Sequence, residues 1–335
     1  MRTPRILGYG TSYYHVMSRT TGREFLFHGQ EKECFRSMMH RLAAFSGIKV
    51  LTYCILDNHF HILVEVPEQD GEMPDEEVVR RMRFIHDRHT TNTYKSLLQR
   101  ARKQGDKKKI EKLRKLMMYR MENLSEYMKA LKQRFSTWYN RTHGRRGTLW
   151  EERFKSVLIE PPDALQDEIS NGPCVLMAVA NYIDLNPVRA KITDDPKEYR
   201  WCGLAEAAAG KAHGSAGLRR LLELKEGRQL CCKEALALYR RSLYLEGDFL
   251  FSAEKVRGIM RSGGVIATHE LIRCHVRYFN DGLVLGHRSF VDDFFSKRRE
   301  LFGKKRKTGA RHLTAQSFEG LCAIRDLKKE AVARM

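Results

Sequence analysis

The chain has 335 residues, enough for one large domain or two smaller ones. Lys and Arg number 61 against 41 Asp and Glu, a formal charge of +20 with a pI near 9.7, which points to a polyanionic partner, nucleic acid first of all. No run of about 18 apolar residues marks a membrane span, Met1-Arg2-Thr3-Pro4-Arg5 lacks the apolar stretch of a signal peptide, and a hydrophobic content of 42% is enough for a packed core.

Eight cysteines are scattered at 34, 54, 174, 202, 231, 232, 274 and 322. None forms Cys-x-x-Cys, so reduced thiols in a cytoplasmic protein are expected rather than a zinc cage or a redox pair.

In chain order, Tyr13, Tyr14, Val16 and Met17 predict a first strand within residues 11–20. Phe35, Met38, Met39, Leu42 and Phe45 have helical spacing, with Gly47 as the C-terminal cap. Val50 to Ile55 and Phe60 to Val66 read as two strands joined by a turn at Asp57-Asn58. Side chains alternate along a strand, so His59 and His61 share one face while Phe60, Ile62 and Val64 point into a core. Two imidazoles on one face can hold a divalent metal ion; two hydrogen-bonded surface histidines are the plainer alternative.

Pro67, Gly71 and Pro74 mark a loop, and the charge-dominated residues to about 122 read as one or two long solvated helices inserted into the fold. Leu124, Met128, Leu131, Phe135 and Trp138 form a helical stripe, with Lys129, Lys132, Arg134 and Arg141 opposite. A basic loop follows, with Arg141, Arg145 and Arg146, and then Trp150, Arg153, Phe154 and Lys155 interleave rings with cations. That pattern suits stacking on unpaired bases, and it equally suits aromatic core anchors. Ser156 to Glu160 predicts a fourth strand.

The apolar run from Cys174 predicts a helix ending at Asn186, because the residue before Pro187 is pushed out of helical conformation. Tyr182 and Asn186, four positions apart, share a face of that helix. If this face meets the two histidines, the chain offers three metal ligands and a phenolic nucleophile. Tyr139 is the rival nucleophile, but position 143 is His143 rather than an oxygen ligand. His15 and His143 read as structural or phosphate contacts.

Residues 203–217 are rich in Ala and Gly and suggest a linker or weak helix. Residues 218–260 look helical. From Thr268 the pattern is helix, turn at Asp281-Gly282, helix from Ser289 to Leu301 with Ser289 and Asp292 as a capping box, and a basic tail.

Three motifs in order resemble a known family: Asn58-His59-Phe60-His61, Gly147-Thr148-Leu149-Trp150-Glu151-Glu152-Arg153-Phe154-Lys155, and Tyr182-Ile183-Asp184-Leu185-Asn186-Pro187-Val188-Arg189. Together they are similar to the single-tyrosine HUH transposases, and more closely to the REP-associated tyrosine transposases, over roughly residues 10–200. The resemblance implies an α+β fold: a ferredoxin-like antiparallel sheet with helices on one face, here with a helical insertion at about 76–122. It divides the chain into a transposase domain at 1–202 and a helical C-terminal region at 203–335, a candidate helix-turn-helix DNA contact.

By resemblance, Tyr182 is the catalytic nucleophile and His59, His61 and Asn186 hold Mg²⁺ or Mn²⁺. Arg141, Arg145, Arg146, Trp150, Arg153, Lys155 and Arg189 contact DNA. Cleavage of single-stranded or hairpin DNA would leave a 5′-phosphotyrosine, in a nucleoid-associated protein that is a homodimer or a monomer. Asp57 and Glu151 stand where many relatives have Pro and Gln, and Asn186 where many have Gln. A non-catalytic nucleic-acid-binding regulator on the same fold, and a phosphodiesterase that uses water, are the competing functions.

Overall fold

The computed structural model describes residues 6–68, 73–162, 174–245, 279, 282–312 and 320–325. The first strand, β1 (Ser12–Arg19), leads into helix α1 (Gly29–Ser46), which Gly47 ends in left-handed conformation with φ of 74°. The hairpin β2 (Lys49–Ile55) and β3 (His59–Val66) follows. Helices α2 (Asp75–Met82), α3 (Arg88–Lys103) and α4 (Lys107–Met118) form the insertion, so three helices stand where one or two were expected. Helix α5 (Leu124–Thr142) is capped by Asn123, whose side chain accepts from the backbone of Ser125 and Glu126. It leads to β4 (Lys155–Ile159).

These four strands lie in the order β2-β3-β1-β4, every neighbouring pair antiparallel. With α1 and α5 packed together on one face, this is the ferredoxin-like arrangement expected. The opposite face is also covered, which the sequence reading did not anticipate. It carries α6 (Val175–Asp184), the short α7 (Asn186–Arg189), α8 (Gly203–Ala208), α9 (Ala212–Glu226) and α10 (Cys232–Leu245). Strand alternation explains the two layers: Phe60, Ile62 and Val64 feed one core, while Leu63, Cys54 and Val157 feed the other.

The Ala- and Gly-rich stretch is not a linker. Its small residues let α9 lie against β2, where a methyl on Gly217 would sit 2.5 Å from the carbonyl oxygen of Val50. Beyond it the chain is not purely helical either. Strands β5 (Val284–His287), β6 (Arg311–His312) and β7 (Leu321–Ile324) extend the same sheet to seven strands, with β5 parallel to β4. Short runs such as Val284-Leu285 carry no helical or strand period long enough to read. The described residues beyond 282 thus add three strands to the sheet that carries the first four.

Of the expected helix-turn-helix, the first helix and Asp281 lie outside the described residues. The second is α11 (Arg288–Lys297), with His287 rather than Ser289 at its N-cap and no capping box. Among the described residues no cysteine is in a disulfide and no helix is long and apolar enough to cross a membrane.

Candidate active site

His59 and His61 share the second face, as the alternation predicts, with their rings 5.2 Å apart. Their turn is tied down from several sides. Thr20 N–H donates to Asn58 O at 2.9 Å, Phe27 N–H to Asp57 O at 2.9 Å, and Lys32 Nζ pairs with Asp57 Oδ1 at 2.5 Å.

Each imidazole has one nitrogen engaged. His59 Nδ1 lies 2.6 Å from Asn58 Oδ1, and His61 Nδ1 lies 2.9 Å from His15 Nε2. Burial holds all three histidines neutral, lowering His15 and His59 to about 4 and His61 well below its usual range, where His15, His59 and nearby arginines add repulsion. A neutral imidazole presents a lone pair, which a metal requires.

Helix α6 brings Tyr182 to this pair. Val175, Leu176, Val179, Ala180 and Ile183 are buried against the sheet. Each larger side chain stabilises the contact by about 1.5–3 kcal/mol. Asp184 pins the helix end. Its carboxylate accepts from Thr52 on β2 at 2.8 Å, from the Tyr239 hydroxyl on α10, and from Leu204 N–H at the start of α8 at 3.1 Å. Burial raises this carboxyl to about 6, against the pull of those donors. Pro187 sits in the first turn of α7, where its missing N–H costs nothing.

The Tyr182 ring is 8% exposed and has four neighbours at hand. His61 stands edge-on at 5.9 Å, His15 at 6.0 Å and Phe279 at 4.8 Å, while the Arg189 guanidinium lies over the ring at 4.2 Å. Arg189 also donates to the Tyr182 carbonyl. The two distant motifs therefore meet. Tyr139 does not join them: it packs in the other core, beside Phe135 and His143.

Asn186 is buried, and its Nδ2 donates to the carbonyls of Tyr182 and Ile183 at 3.1 and 3.2 Å. Its amide nitrogen thus closes the end of its own helix. Among the described residues no group of three or more His, Cys, Asp or Glu has the spacing to hold a metal. Two neutral imidazoles on one face are a donor pair that a divalent cation accepts, and the remaining positions would have to come from oxygens.

The expected DNA contacts divide. Arg141, Arg146, Arg153 and Lys155 are exposed, and Arg145 pairs with Glu24 at 2.9 Å. Lys155 and His61 both oppose Met17 across β1, so all three point to the same face. Trp150 is a correction: it is 8% exposed, packs with Phe27, Phe35, Phe60 and Phe135, and donates from Nε1 to Ser136 Oγ at 2.8 Å. It anchors the core and has no face free for a base. Phe154 is half-buried against the same core.

Sequence reasoning missed Arg19, which is exposed and opposes His59 on β1. Its signal was a cation closing an otherwise apolar strand. It also missed the carboxylate of Asp184, two positions past Tyr182, which ties the end of that helix to β2, α8 and α10.

Residues 9–106 match the family model described as "Transposase IS200 like". The match runs from before β1 through α3, so it includes both histidines and stops short of Tyr182. This part of the chain carries the IS200-like transposase sequence pattern, the family to which the motifs point. A solved structure described as the REP-associated tyrosine transposase bound to a REP hairpin aligns with 62% of this chain and 86% of its own, at 12% identity and a TM-score of 0.36. No curated protein matches the sequence.

Proposed function

We propose that this protein is a metal-dependent DNA strand transferase that cleaves single-stranded DNA, at hairpins of the REP type, through Tyr182. The supporting observation is the convergence of Tyr182, His61 and Arg189, with the phenol ring 5.9 Å from the imidazole and 4.2 Å from the guanidinium. All three come from one chain, which favours cleavage in cis without a tyrosine from a second subunit. Its basic surface suits work on nucleoid DNA in the cytoplasm.

In this reading His59 and His61 present neutral Nε2 atoms to Mg²⁺ or Mn²⁺, with Asn186 as the proposed third ligand. The bound ion would supply Lewis-acid stabilisation of charge on the scissile phosphate. Tyr182 attacks phosphorus: its O–P bond forms, the bond to the 3′-oxygen breaks, and the phenolic proton is ultimately balanced by the 3′-hydroxyl released. Arg189 places a fixed positive charge over the nucleophile's ring. Lys155 and Arg19, on the same face, hold the flanking backbone. The phosphotyrosine retains the energy of the phosphodiester, so rejoining needs no nucleotide.

The test is a denaturing gel after incubation with Mn²⁺ and single-stranded hairpin DNA. A covalent protein–DNA band is expected from the wild type and from Tyr139→Phe, and none from Tyr182→Phe. An adduct that persists in Tyr182→Phe sinks the assignment. Cleavage without any adduct would favour a water-using phosphodiesterase, and salt-sensitive binding alone a regulator.

A further inference from the structure

We infer that the peptide carbonyl of Phe279 fixes, through His15, which nitrogen of His61 is left bare, making His15 a positioning residue for the site. The inference rests on the proposed metal role of His61 and extends it to His15 and to Phe279, the second of which lies beyond the stretch that the family model matches.

The logic is a chain of donors and acceptors. His15 Nδ1 lies 3.0 Å from the Phe279 carbonyl oxygen. A carbonyl can only accept, so the proton is on His15 Nδ1. His15 is wholly buried, which disfavours an imidazolium, so its Nε2 is a lone pair. That lone pair is 2.9 Å from His61 Nδ1, which must therefore carry a proton and donate it. His61 Nε2 is then the bare nitrogen. The two rings are stacked 25° from coplanar, with centroids 5.1 Å apart, so the bond lies along the edge that joins them.

Phe279 acts twice. Its carbonyl starts the relay, and its ring packs on Tyr182 at 4.8 Å. One residue from the C-terminal part of the chain thus touches both the nucleophile and the holder of a ligand. This gives residues beyond 202 a part in the site itself. Were the relay absent, His61 could place its proton on Nε2, and that nitrogen could not bind a cation.

The measurement is the ¹⁵N shift pattern of the histidine rings in the metal-free full-length protein. His61 is expected with its proton on Nδ1 in the wild type. His15→Gln should keep that tautomer, because the amide nitrogen can donate to Phe279 while the amide oxygen accepts from His61. His15→Leu should move the proton to Nε2 and lower Mn²⁺ affinity about 10–100-fold, with His15→Gln restoring it. A wild-type His61 protonated on Nε2 overturns the inference, and that spectrum decides even if His15→Leu fails to fold. His15→Leu with unchanged tautomer and Mn²⁺ affinity also overturns it. The Nδ1 tautomer with no Mn²⁺ binding in any variant upholds the relay and sinks the metal reading instead.

Discussion

The two faces of the sheet are built from the same strands and do opposite work. Under α1 and α5 lies an aromatic core, with Phe27 stacked on Phe135 at 5.0 Å and Phe35 at 4.7 Å from Phe60. Under α6 the same strands turn out His15, His59, His61 and Thr52, and the helix answers with Tyr182 and Asp184. Both faces bury apolar area, but the second also buries this cluster of polar groups, each of which must find a partner. The comparison teaches why Trp150 and Tyr139 cannot be read by composition alone. Both are aromatics in a basic stretch, yet both belong to the packing face.

Variants should separate the faces cleanly. Tyr182→Phe is expected to abolish the adduct and lower cleavage by on the order of 10⁴-fold or more, with thermal stability near wild type. Trp150→Ala should do the reverse, costing about 3–5 kcal/mol of stability by denaturant titration while the folded fraction still cleaves. A Trp150→Ala protein that is fully stable but fails to bind DNA would place that ring on the wrong face.

Asp184→Ala should lie between the two. Removing the carboxylate leaves the Thr52 and Tyr239 hydroxyls and the Leu204 N–H buried without their acceptor, at a cost of about 2–4 kcal/mol. It also frees the end of α6, so cleavage should fall with stability, and paired calorimetry and adduct assays would show both losses.

At the β2 edge, Glu206 on α8 ties the two layers together. It accepts from His40 on α1 at 3.1 Å and from the Tyr53 hydroxyl at 3.0 Å. Burial alone would raise its carboxyl, but His40, Tyr53 and Arg36 hold it below the usual range. A depressed carboxyl contributes stability that is present above its unfolded value and lost as pH falls through the folded one. Melting temperature should therefore drop on acidification below about pH 4.3, with a shallower slope in Glu206→Gln; equal slopes would refute the tie. The smallest effect is expected at Lys155→Gln, which should weaken DNA binding uniformly across sequences and reduce the salt slope by about one.

The hairpin carrying His59 and His61 was legible because alternation is a local rule: Phe60, Ile62 and Val64 named the core face, and the histidines followed. The helix of Tyr182 and the cap at Gly47 were legible for the same kind of reason. The second layer was not. Gly203 and Gly217 look like linker residues until β2 lies against them, Gly214 until α8 does, and β5 pairs with β4, a strand far back in the sequence. No periodicity encodes such a pairing.

By itself, then, the order of residues determined the four-strand core, the shared face of the two imidazoles and the charge that seeks a polyanion, since these follow from side-chain alternation and composition. Only the tertiary structure decided which tyrosine meets the histidines, that Trp150 is an anchor, and that Phe279 reaches back to His15. Those are contacts between segments remote along the chain, fixed by how two layers close on one sheet.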